Sequence, residues 1–226
     1  MTKRFDGVLF DAGGIFVVPD PIATAMAIAP FGGATDTGVL VRCHYAGMEA
    51  LDAVASKRTD ASIDKITWDT YRHAYVRTAG VADDKVEPAA LAMRRLFSPQ
   101  YWHFPLLESV AALAQLYHRK VPIGVVSNAS GQIEATLNNL CICQVGPGAG
   151  VPVSIVTDSQ VVGYAKPDPL IFSDAIAALN LPPERVAYVG DSYVNDVGGA
   201  RAVGLVPLLY DPFDDHADYD CERLRS

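Results

Sequence analysis

The 226-residue chain carries 18 Lys and Arg against 26 Asp and Glu, a formal charge of −8, so bulk electrostatics do not draw it to nucleic acid or another polyanion. Half of its residues are hydrophobic and 19% are charged, with a mean hydropathy of +0.17; this excludes the disordered and collagen-like classes and allows a sizeable core. No apolar run approaches the roughly 18 residues of a membrane span, and Asp6 and Asp11 interrupt any leader-like stretch, so no membrane is expected and the expected location is cytoplasmic.

In chain order, Phe5 to Phe10 is the first short apolar run, and it ends at Asp11. Helical segments follow at Thr37 to Ser56, Ile63 to Ala79 and Asp84 to Phe97, separated by the breakers Gly32-Gly33, Gly80 and Ser98-Pro99. Leu107, Val110, Leu113, Ala114 and Tyr117 give Leu106 to Arg119 a helical spacing, and the run Val121 to Val126 then ends at Ser127. Cys141-Ile142-Cys143 reads as a strand with both thiols on one side; with Cys43 and Cys221 and no CxxC pair, the cysteines are expected to be reduced packing residues. Pro147 with Gly146, Gly148 and Gly150 marks a flexible surface loop ahead of a fourth strand, Val153 to Val156. Pro169 to Leu179 is again helical, Val186 to Gly190 is a strand ending at Asp191, and Leu205 to Leu209 is a strand before an acidic tail that reads as peripheral.

Strands apolar on both faces that alternate with helices indicate a parallel sheet covered on both sides, in which ligands sit at the carboxyl ends of strands. Asp11, Ser127 and Asp191 stand at those ends. About 100 residues separate the first two strands, far beyond the dozen or so a parallel crossover needs. The economical reading is an α/β fold, a doubly wound parallel-sheet core made of residues 1–19 and 101–226, with an all-helical second domain, residues 20–100, inserted into it.

Taken singly, Asp11 reads as a turn or cap residue, Lys166 as a solvated lysine, and Asp191 and Asp196 as a helix cap and a first-turn charge. Taken together they suit a different chemistry. Carboxylates converging at sheet ends repel one another unless a cation sits among them, and Mg2+ takes hard oxygen ligands. Such an ion and Lys166 would hold the charge of a phosphate dianion and Ser127 would donate a hydrogen bond to it, while one carboxylate acts as nucleophile. That arrangement suits phosphoryl transfer.

Phe10-Asp11-Ala12-Gly13-Gly14, Val126-Ser127-Asn128, Gly163-Tyr164-Ala165-Lys166-Pro167-Asp168-Pro169, and Gly190-Asp191-Ser192 through Asn195-Asp196-Val197-Gly198-Gly199-Ala200, in that order, strongly resemble the motifs of the haloacid dehalogenase (HAD) superfamily of hydrolases. The resemblance spans residue 5 to about 210. It implies a Rossmann-like core with the first strand central and a mobile helical cap that selects the substrate, a small phosphorylated metabolite. It also implies roles: Asp11 as the nucleophile that becomes an aspartyl-phosphate, Ser127 and Lys166 as phosphoryl-binding catalytic groups, and Gly14 and Asn128 as contacts of the substrate. Mg2+ would be held by Asp11, the carbonyl of Gly13, Asp191 and Asp196. An Asx turn ending the strand is the other reading of Asn128.

The pattern departs from the family at two places. Phosphatases of the family carry a second Asp, the proton shuttle, where this chain has Gly13, so acid–base catalysis worth roughly 10²–10⁴-fold is missing from that position. Their usual Thr two positions later is here Ile15. Three explanations remain open: a substitute acid or a leaving group that needs no proton, as in acyl phosphates; a different reaction, dehalogenation or phosphonate cleavage; or a weakly catalytic protein that only holds a phosphate ligand. Family dehalogenases lack the acid that Asp191 retains, and phosphonate cleavage needs a cap lysine, whereas Lys57, Lys65 and Lys85 each lie among charged residues as surface lysines do. Arg42, Arg72, Arg77, His44 and His73 read as solvated helix faces and packed histidines, and Trp102 and His103 as packing where the chain re-enters the core; none is assigned to catalysis.

Overall fold

The computed structural model of the protein describes residues 4–56 and 64–225, with side chains in the second stretch from residue 68 on. The sequence readings of Lys57, of the Lys65 side chain and of a helix start at Ile63 fall outside the described residues. The elements are β1 (Gly7–Phe10), β2 (Val17–Pro19), α1 (Pro21–Ile28), α2 (Thr37–Ala55), α3 (Asp64–Thr78), α4 (Val86–Arg94) and β3 (Trp102–Pro105). There follow α5 (Leu107–His118), β4 (Ile123–Ser127), α6 (Ile133–Asn139), β5 (Cys143–Val145), β6 (Val151–Val153), β7 (Val156–Asp158) and α7 (Ser159–Val162). The chain closes with α8 (Ser173–Leu179), β8 (Val186–Gly190), α9 (Gly198–Ala202), β9 (Val206–Tyr210) and β10 (Glu222–Leu224). No helix among the described residues is long and apolar enough to cross a membrane.

The chain divides into two units, the first taking in the residues up to Val17, Pro105–Pro212 and those from Tyr219 on. It is built on a six-stranded parallel sheet in the order β10-β9-β8-β1-β4-β7. Because successive side chains on a strand point to opposite faces, each apolar run supplies both sides of this sheet. Phe10, Val125 and Val189 join one core cluster, while Leu9, Val126 and Tyr188 join the other. The strand order reverses at β1, whose neighbours are β4 and β8, and ligand crevices form outside strand ends at such a switch point.

Three expectations are corrected in this unit. The strand expected at Val153 to Val156 is two: the Ser154 N–H donates to Ile123 O and Ile155 O accepts from Val125 N–H, so the chain leaves the small β5-β6 ladder there and joins β4 as β7. Cys141 and Cys143 do not share a face. Cys141 has φ +54° at the end of the α6 turn and is exposed, whereas Cys143 is buried in β5, so only the latter, with Cys43, is a packing residue. The tail is also more than peripheral, since β10 adds an edge strand to the main sheet beside β9. The Gly146 to Gly150 loop is pinned by the Gln144 side chain, which donates to Gly146 O and Gly150 O and accepts from Gly150 N–H.

The second unit comprises Val18–Phe104 and Phe213–Asp218. Asp20 caps α1 by accepting from Ile22 N–H and Ala23 N–H, with Pro21 at the first helical position, and Asp36 caps α2 through Val39 N–H. Ile28, Leu40, Tyr71, Tyr75, Val76 and Met93 form its core. His44 is buried, its Nδ1 2.9 Å from the Tyr71 hydroxyl, and is a packed histidine. Where the sequence reading keeps residues 101–226 together, Phe213–Asp218 groups with the helices because Arg42 holds Asp215 through a two-pronged bond of 2.7 and 2.6 Å and Phe213 stacks near Tyr45.

Candidate active site

Register places the polar strand ends side by side. Phe10 is level with Val125 on β4 and with Val189 on β8, so Asp11 falls level with Val126 and Gly190, and Ser127 and Asp191 are the next residues on either side. Neighbouring strands lie about 4.8 Å apart, so these side chains open on one rim. The Asp11 N–H donates to Val189 O at 2.8 Å, and its carboxylate accepts from Ala12 N–H at 2.7 Å.

The late turn brings in the third acid. After Asp191, Ser192 accepts from Asn195 N–H and starts a wide helical turn, Tyr193–Val197, that carries Asp196 back to the strand end, where its carboxylate accepts from Ser192 N–H at 2.9 Å. Gly190 makes this possible: a Cβ there would stand 2.2 Å from Asp196 Cγ. Gly14, expected as a substrate contact, lies against Asp191: its φ is +68° and a Cβ there would stand 1.9 Å from Asp191 Oδ2. Asp11, Asp191 and Asp196 each offer an oxygen within 4.8 Å of the others, and all three are buried.

Lys166 supplies the positive charge. Its ammonium is 2.9 Å from Asp11 Oδ1 and 2.6 Å from Asp196 Oδ1, and it donates to the Tyr188 hydroxyl at 3.0 Å, so all three of its N–H donors face protein acceptors. The main chain of Lys166 is clamped by Asn128, whose amide accepts from Lys166 N–H at 2.7 Å and donates to Lys166 O at 3.0 Å. Asn128 is therefore not a local Asx turn; its partner lies 38 residues away. Ser127 is buried at the end of β4, and Gly13 bridges to Val17 while Ile15 packs into the core.

Burial pushes the Asp11 carboxyl up to about 7; Lys166 pulls it down, but Asp196 and Asp191 add to the rise. Burial pulls the Lys166 ammonium down, yet Asp11 and Asp196 outweigh it and the net direction is up. Burial also keeps the Tyr188 phenol protonated far above the ordinary range. Sequence reasoning missed Tyr188 and the clamp by Asn128. A tyrosine amid the apolar run of β8 was the available signal, because a buried hydroxyl must find a partner. The donor set consists of hard carboxylate oxygens, which fit a Mg2+ ion better than a soft metal.

A family model described as haloacid dehalogenase-like hydrolase matches residues 5–204. Haloacid dehalogenase-like hydrolase domain-containing protein 3 of Bos taurus is 36% identical over 134 residues, covering 58% of this chain and 50% of that protein. The phosphoserine phosphatase of Thermus thermophilus is 28% identical over 168 residues, covering 73% of this chain and 65% of that protein. The chain thus spans about half the length of the first relative and under two thirds of the second. Among solved structures, the HAD phosphatase from Thermococcus onnurineus matches with a TM-score of 0.55 at 20% identity over 98% of this chain and 94% of that one, which shows a shared fold.

Proposed function

The chain belongs to the haloacid dehalogenase-like hydrolases, and from that membership we propose that it is a Mg2+-dependent phosphatase of a small phosphorylated metabolite, working through an aspartyl-phosphate on Asp11. The observation that carries this reading is three buried carboxylates within 4.8 Å of one another, with the Lys166 ammonium 2.9 Å from the first of them. Retention of Asp191 in that cluster favours a phosphatase over a metal-free dehalogenase. The phosphatase-named relative in Thermus thermophilus supports the same choice.

In this reading a carboxylate oxygen of Asp11 attacks phosphorus, and the bond from phosphorus to the leaving oxygen breaks, that oxygen taking the electron pair. Ser127 donates a hydrogen bond to a phosphoryl oxygen, and the Lys166 ammonium, its three N–H groups turned to Asp11, Asp196 and Tyr188, binds the phosphoryl group by its charge. Water then cleaves the acyl-phosphate bond, giving inorganic phosphate and restoring Asp11. Asp11, Asp191, Asp196 and the Gly13 carbonyl would hold the Mg2+, which when bound neutralises phosphoryl charge and favours the ionised form of Asp11. Gly13 has no side chain to protonate the leaving group, so substrates whose leaving oxygen needs no proton, acyl or aryl phosphates, are the preferred class.

The test is hydrolysis of p-nitrophenyl phosphate and acetyl phosphate with and without Mg2+, alongside Asp11→Asn. Metal-dependent turnover abolished in the variant supports the reading. Inactivity across a broad phosphate panel, or chloride release from a 2-chloroacid, overturns it.

A further inference from the structure

Tyr188 lies in the middle of β8 with its ring fully buried, packed edge-on against Phe172 at a centroid separation of 5.2 Å. Its hydroxyl accepts from Lys166 Nζ at 3.0 Å and has Val126 O at 2.9 Å and Asp196 Oδ1 at 3.2 Å as acceptors for its single proton. A lysine ammonium is a point charge on a flexible stem, with no fork to fix its direction. Here two carboxylates draw it, at 2.9 and 2.6 Å, and the phenol takes its third N–H.

Val126 directly precedes Ser127 at the end of β4. One oxygen therefore joins the ammonium, the Asp196 carboxylate and the strand end that carries Ser127. We propose that Tyr188 is a positioning residue: its hydroxyl sets the place of the Lys166 ammonium relative to Ser127 and Asp11. The kinetic part of this inference rests on the phosphatase reading above; the geometric part does not. Deleting the hydroxyl leaves the third N–H without its acceptor and lets the ammonium move towards the two carboxylates. A misplacement near 1 Å in such a site costs up to about 100-fold in rate.

The test is Tyr188→Phe, which keeps the ring and removes one oxygen, beside Phe172→Leu, which loosens the ring's packing and keeps the hydroxyl. Tyr188→Phe is expected to lower kcat about 10- to 100-fold on acetyl phosphate while KM stays within about threefold. Phe172→Leu is expected to lower Tm while keeping kcat. If Tyr188→Phe retains the wild-type kcat, or Phe172→Leu loses as much kcat as Tyr188→Phe, the hydroxyl serves folding alone and the proposal fails. Should the wild type hydrolyse nothing, the phosphatase reading fails, and crystal structures of wild type and Tyr188→Phe decide the geometric part. A displaced Lys166 Nζ in the variant supports it, and an unmoved one overturns it.

Discussion

Replacing Lys166 by Met removes the ammonium that touches both Asp11 and Asp196 and leaves an apolar stem of similar length. Breaking a buried ion pair from one side costs about 3–5 kcal/mol. In a chain of this size 1 kcal/mol shifts Tm by about 2–4 °C, so the expected loss is about 6–20 °C at pH 8 in EDTA. The loss depends on pH with a definite sign. Asp11 has a folded pKa raised to about 7, so its contribution to stability is full below the ordinary carboxylate range and disappears as pH rises through 7. Without Lys166 the downward pull on that carboxyl is gone, and Asp11 keeps its proton to still higher pH. The variant therefore goes on losing stability above pH 7, where wild type has levelled off, so its deficit is smaller at pH 5 than at pH 8. Calorimetry of both proteins at pH 5 and pH 8 in EDTA measures this, and 10 mM Mg2+ at pH 8 should recover part of the deficit. Equal stability at pH 8, or the same deficit at both pH values, would refute the account of three acids balanced by one ammonium.

Four further outcomes follow from the same geometry. Mg2+ at about 100 times its Kd should stabilise the protein by about 2.7 kcal/mol, seen as a Tm rise of several degrees that Asp191→Asn abolishes. Gly190→Ala should drive Asp196 off the strand end and lower Mg2+ affinity at least tenfold by calorimetric titration, because its Cβ would stand 2.2 Å from Asp196 Cγ. Asn128→Ala, which loses both bonds to the Lys166 main chain, should cost about 1–3 kcal/mol in denaturant unfolding and lower kcat on acetyl phosphate. Rates across a series of phosphate esters should fall steeply as the leaving-group pKa rises, and Gly13→Asp should flatten that slope.

The strands that carry the site were legible because burial on both faces writes each as an unbroken apolar run, and each run ends at a polar side chain at the carboxyl end of the sheet. Asp11, Ser127 and Asp191 were found that way. Lys166 sits on a loop and Asp196 in the helical turn after β8, and their meeting at 2.6 Å followed from motif resemblance rather than from periodicity. What stayed hidden depends on contacts between distant residues. The clamp of Asn128 on Lys166 joins two loops, and the Tyr188 hydroxyl is satisfied by three different segments. The break at Ser154 and Ile155 is likewise set by pairing with β4, which no local pattern encodes. Phe213–Asp218 was misplaced for the same reason: an acidic stretch reads as solvated until Arg42 is seen gripping Asp215.

That grip bears on any attempt to graft the helical unit between relatives. A graft of residues 18–104 alone would part Arg42 from Asp215 and Tyr45 from Phe213, stranding a guanidinium beside an aromatic gap. A working chimera must carry two pieces of sequence, the second only six residues long and more than a hundred positions downstream of the first.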